Sequence, residues 1–113
     1  MTNKEVKAAI EHVFIRYRKF NILNKLNLPE VPVEAHICRT IDDIVTGLDP
    51  DEQLLIRERY MKRDRVTDMQ VYSFEFDPPT SAVTYAKIRS SAFSKLLLAF
   101  KELGIYEGER TCQ

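Results

Sequence analysis

Apolar side chains recur along most of this chain at helical spacing. Val6, Ile10, Val13, Tyr17 and Phe20 step by four and three residues, which predicts a helix over residues 4–26. Its seam covers only about two heptads before it meets Asn24. Two readings stay open: a helix packed on its own domain, or a dimerisation helix suited to a two-fold site. Leu28 to Val33 carries two prolines and reads as a linker, because proline disfavours both helix interior and central strand. Ala35 to Val45 reads as a short helix with Ile37, Ile41, Ile44 and Val45 inward, stopped at Gly47.

The second half carries clearer start and stop signals. Asp49 can cap a helix over 51–62, Pro50 suits its first position, and Glu52 follows the cap by three as in a capping box. Thr67 and Asp68 open a second, short segment. Within it Tyr72, Phe74 and Phe76 alternate with Ser73 and Glu75, so a strand hairpin across Asp77, Pro78 and Pro79 competes with helix. The cap at Thr67 favours helix, and Pro78 and Pro79 then lie in a turn. Thr80 and Ser81 open a long last helix that ends at Leu103 and Gly104, a glycine stop. Its inward stripe is Ala82, Tyr85, Arg89, Ala92, Phe93, Leu96, Phe100 and Leu103, in which Tyr85 packs to seat the helix. Arg89 sits on that stripe and is expected to form a half-buried ion pair with Glu52 or Glu75, in preference to the alternative of a DNA contact. The opposite face carries Val83, Thr84, Lys87, Ser91 and Ser94. Small and polar in its first turns, such a face can approach base edges in a major groove.

These elements give an all-α fold: a helix-turn-helix preceded by an N-terminal amphipathic helix. The expected division is an N-terminal helical and linker region over 1–47, a DNA-binding domain over 48–107 and a flexible tail over 108–113. At 113 residues with 44% hydrophobic and 30% charged side chains, the chain can bury one core and stay soluble. Net charge is zero, yet it is segregated. Residues 1–27 hold six basic against two acidic side chains, 28–56 one against seven, 57–101 nine against five, and the remainder one against three. A basic face for phosphate is compatible with that distribution.

Ser81, Thr84, Tyr85, Arg89, Ala92, Lys95 and Leu96, closing on Leu103, Gly104 and Ile105, form a pattern that resembles the C-terminal signature of ArpU-type phage transcriptional regulators. Ile56, Arg59 and Tyr60, then Arg65 to Asp68, then Asp77 to Pro79 extend the resemblance upstream. It covers about half the chain well and the N-terminal half loosely. It implies a sigma-like helix-turn-helix of the type that reads −35 promoter elements, in a phage or prophage regulator of late genes. By position, Ser81 would cap the recognition helix and meet phosphate, with Ala82, Val83 and Lys87 where bases are read. Thr84 and Ser91 would flank them, and Arg63, Arg65 and Lys95 would contact the DNA backbone. Lysine can donate to guanine, and Ala82 and Val83 can meet thymine methyls. The reading positions hold fewer Arg, Gln and Glu than sigma factors do, so a dimer or RNA polymerase would add specificity.

Catalytic and metal signals are weak. His36 and Cys38 lack a second ligand pair, and no cofactor or metal is expected. Asp42 and Asp43 point apart on a helix, and Asp49, Asp51 and Glu52 read as N-terminal capping charges. With three glycines there is no phosphate-binding loop. The expected protein is a non-enzymatic cytoplasmic DNA binder, with no leader peptide, no membrane span and no disulfide framework. Two other classes stay open: a phage packaging component similar to small terminase subunits, and a module that touches RNA polymerase through its acidic segment without binding DNA.

Overall fold

A computed structural model describes residues 2–26, 32–62 and 66–105. Five helices follow in order: α1 (Asn3–Lys25), α2 (Pro32–Thr46), α3 (Pro50–Ile56), α4 (Asp68–Gln70) and α5 (Ala82–Glu102). Helix α3 continues as a π-helical turn, Arg57–Met61, and α4 as another, Val71–Glu75. Among the described residues there is no strand, so the all-α expectation holds and the hairpin alternative falls. The alternation that suggested a strand has a helical cause. Tyr72 and Phe76 are four apart and both pack on the Tyr85 ring, at 5.4 and 6.2 Å between centroids. Phe74 between them faces outward and is 79% exposed.

Short-range polar contacts set the helix ends. The Thr2 hydroxyl accepts from the Glu5 amide at 3.2 Å while the Glu5 carboxylate accepts from the Thr2 amide at 2.9 Å. Thr67 and Gln70 repeat that capping box at 3.2 and 2.8 Å. The Asp49 amide donates to Glu52 at 3.0 Å, with Pro50 in the first turn of α3. Gly104 ends α5 at φ 73°, and the Ile105 amide closes back on the Phe100 carbonyl at 2.8 Å. Only glycine adopts that backbone without strain.

Three expectations need correction. Pro32 and Val33, assigned to a linker, are the first residues of α2, because a proline in the first helical turn removes no intrahelical hydrogen bond. The rest of that linker lies outside the described residues, as does the tail over 108–113. On α2 the buried set is Ala35, Cys38, Ile41 and Val45, with Ile37 and Ile44 only partly covered. On α5 the two ends of the inward stripe, Ala82 and Leu103, are exposed, since the helix outruns the core in both directions.

The α1 seam packs within the chain. Ile10, Val13 and Tyr17 are buried together with Ala9 and Phe14, and Val6 and Phe20 border them. Phe14 stacks on Tyr60 at 5.9 Å and meets Phe100 edge-on at 6.1 Å, while Tyr60 also contacts Phe93 at 5.7 Å. One aromatic cluster thus joins α1, the π turn after α3 and α5. Arg18 reinforces it by donating to the Tyr60 carbonyl. Ion pairing of Arg16 with Glu34 at 2.5 Å and donation from the Tyr17 hydroxyl to Asp42 at 2.5 Å tie α2 to α1. No helix among the described residues is long and apolar enough to cross a membrane.

The Tyr60 hydroxyl is buried without a hydrogen-bond partner among the described residues, whereas the Tyr85 hydroxyl donates to Asp68 at 2.7 Å. Removing an unpaired buried hydroxyl is neutral or favourable, and removing a paired one leaves its acceptor short. Urea unfolding should therefore place Tyr60→Phe at or above wild-type stability and Tyr85→Phe about 1–3 kcal/mol below it. A loss above about 1 kcal/mol in Tyr60→Phe would mean that the hydroxyl has a partner.

Candidate nucleic-acid interface

The N-terminal half of α5 presents a capped, exposed helix surface. Ser81 caps it: its Oγ accepts from the Thr84 amide at 3.1 Å and donates to Thr84 Oγ1 at 3.0 Å. Ala82, Val83, Thr84, Ala86, Lys87 and Ser90 follow as exposed positions, with Val83 at 68%. Lys87 is exposed, makes no ion pair among the described residues and borders the groove beside α3. Ala86 and Ser90, small side chains more than one and more than two turns past the cap, extend the face that the sequence predicts.

Asp68 holds this half-helix in place. Its Oδ1 accepts from the Tyr85 hydroxyl at 2.7 Å and from Arg59 Nε at 3.0 Å, and its Oδ2 accepts from Arg89 at 2.8 Å. Arg89 is therefore ion-paired and half-buried as its place on the stripe predicts, but with Asp68 rather than Glu52 or Glu75. Glu52 is taken by α5 one turn further on, and Glu75 lies on an exposed position of the short segment. Burial first, and then donation to Asp68, push the Tyr85 phenol well above its ordinary range, so it stays a donor. The turn between the short segment and α5 contains a cis Asp77–Pro78 bond and closes with the Thr80 amide on the Tyr72 carbonyl at 3.0 Å.

A second carboxylate occupies the next stretch of α5. Glu52 is 4% exposed and accepts from Lys95 at 2.8 and 3.0 Å and from Ser91 Oγ at 2.6 Å. Lys95 also lies 3.5 Å from Asp49. The structure thus turns Ser91 and Lys95 toward α3, on the side of α5 where Lys87 also borders α3. Between α3 and α5 runs a shallow groove of about 470 Å³, lined by Asp49, Asp51, Glu52, Lys87 and Ser91 among others. Its acidic wall disfavours an anion there. Arg63 and Arg65 lie outside the described residues.

His36 and Cys38 do not converge. His36 is exposed, while Cys38 is buried and its thiol is pushed up to about 11, first by burial and then by Glu34 and Asp42. Residues two apart on a helix face different sides. Asp42 accepts the Tyr17 hydroxyl, which gives one of the paired acids a packing role. No group of three or more metal-ligating side chains occurs among the described residues.

Comparison with protein-family models, with curated proteins and with solved structures gives no match for this chain.

Burial would raise the Glu52 carboxyl, but hydrogen bonds from Lys95, Ser91 and the Asp49 amide outweigh it and hold it below the ordinary carboxylate value. A carboxyl depressed on folding contributes stability that is complete above its unfolded value, about pH 4.3, and is lost as pH falls through the folded value. Acid unfolding of Glu52→Gln should consequently show a shallower loss of stability below about pH 4.5 than wild type. Parallel curves for the two proteins would remove Glu52 from the acid limb.

Proposed function

We propose that this chain is a DNA-binding regulator of transcription, of the phage or prophage late-gene type that its sequence resembles. In this reading α4 with its π turn is the first helix of a sigma-like helix-turn-helix and α5 is the helix that enters the major groove. The observation that carries it is the combination of a capped, outward-facing start of α5 with a side-chain clamp fixing its angle. Ala82, Val83 and Ala86 let the backbone approach base edges, and Val83 offers apolar contact to a thymine methyl. Lys87 supplies a donor for guanine, and the Ser81 cap leaves amide donors near a phosphate. Arg63 and Arg65 add backbone contacts, whereas Ser91 and Lys95 serve Glu52. The chain then binds without catalysing a reaction, acts in the cytoplasm on double-stranded DNA, and draws added specificity from RNA polymerase or a second copy. A second reading, in which the chain contacts a protein partner and no DNA, is supported by the exposed acidic lip at Asp49 and Asp51 beside Lys87.

Binding to the late-promoter region beside its own gene and to random DNA, titrated across a salt series, separates the readings. The promoter should bind more tightly, with affinity falling as salt rises, and Lys87→Ala should weaken promoter binding by roughly tenfold. Equal affinity for both DNAs would reduce the reading to a basic surface. No binding at low salt would remove DNA as the partner.

A further inference from the structure

Among the described residues, four exposed large hydrophobic side chains cluster on the C-terminal half of α1 and its cap: Ile15, Ile22, Leu23 and Leu26. Ile15, Ile22 and Leu26 are seven and four residues apart, so they form one stripe on the side of α1 opposite its buried seam. They are 56%, 58% and 63% exposed, too much for a helix face finished by its own core. Beside the stripe lies an open groove of about 980 Å³, whose described lining includes Ile15, Ile22, Leu23 and Met61. Among the described residues of that lining, the charged ones are all basic: Arg18, Lys19, Lys25 and Lys62. Arg18 is held by the Tyr60 carbonyl and Lys62 pairs with Glu58 at 2.5 Å, while Lys19 and Lys25 have no ion pair among the described residues, Lys19 acting on Glu34 only at longer range.

An apolar floor with a basic rim sets the chemistry of its occupant. We propose that this groove docks an acidic amphipathic helix of another protein, with its apolar stripe on Ile15, Ile22 and Met61 and carboxylates facing Lys19 and Lys25. From Ile15 to Leu26 the helix spans about 16 Å, enough for roughly three turns of a partner helix. Charge decides against a second copy. Pairing α1 against α1 would bring Lys19 and Lys25 of each copy onto the same rim, a like-charge juxtaposition. The groove shares no residue with the outer face of α5, so this docking does not depend on the DNA reading.

The test uses the full chain and three probes: a helical peptide of about 18 residues with leucines at three- and four-residue steps and flanking glutamates, the same peptide with flanking lysines, and anionic phospholipid vesicles. Fluorescence anisotropy should show binding of the glutamate peptide with a Kd on the order of 10 µM and at least about tenfold weaker binding of the lysine peptide. Ile22→Glu should weaken the glutamate peptide by about tenfold or more, and Lys19→Glu with Lys25→Glu should reverse the preference between peptides. These positions are exposed, so the variants should keep the wild-type circular dichroism spectrum and melting temperature. The proposal is overturned if the glutamate peptide fails to bind, if both peptides bind alike, or if vesicles bind while it does not. Self-association abolished by Ile22→Glu would also overturn it, by assigning the groove to a second copy.

Discussion

The Asp68 carboxylate is the contact on which the placement of α5 depends. It receives hydrogen bonds from Arg59 in the π turn after α3 and from Tyr85 and Arg89 on α5. Three elements separated by as many as 30 residues meet at one side chain, two of them through guanidinium groups. Charge-assisted bonds of this kind contribute about 1.5–3 kcal/mol each when half-buried, more than the median surface ion pair. They also fix direction as well as energy: two donors one turn apart on α5 set both its rotation and its tilt relative to α4. The exposed Val83 and Lys87 inherit their orientation from that clamp.

The aromatic cluster around Phe14 and Tyr60 supplies the bulk that the clamp cannot. Phe14, Tyr60, Phe93 and Phe100 bring α1 into the same core as the C-terminal helices. The N-terminal half of the chain is thus a packing partner of the C-terminal half. This explains why a heptad-like seam need not mean a dimer: the seam of α1 is used within the chain. What α1 leaves outside is a second stripe with a basic border, a different kind of surface from the one its periodicity advertised.

Charge segregation along the chain translates into pairing across elements. The acidic start of α3 meets Lys95 through Glu52, and Glu34 of α2 meets Arg16 of α1. Part of the basic excess is therefore neutralised inside the molecule, and the lysines without an ion pair among the described residues include Lys25, Lys87 and Lys19, the last of which still acts on Glu34. Net charge by segment overstated the field available to a polyanion. The positions of the unpaired lysines describe it better.

Helix starts and stops were legible in the sequence because they are settled within four residues. Asp49 and Pro50, Thr67, Ser81 and Gly104 each satisfy or block backbone groups of their own turn, whatever the rest of the chain does. The inward stripe of α5 was legible for a related reason, since one helix face must be dry. Which carboxylate meets Arg89 was not, because Asp68, Glu52 and Glu75 are equivalent until the helices dock. The burial of Glu52, and the diversion of Ser91 and Lys95 toward it, are likewise products of docking between α3 and α5. Local hydrogen bonding determined the elements; side-chain pairing over long sequence separations, which only the packed structure can choose, decided which of their faces remain available to a partner.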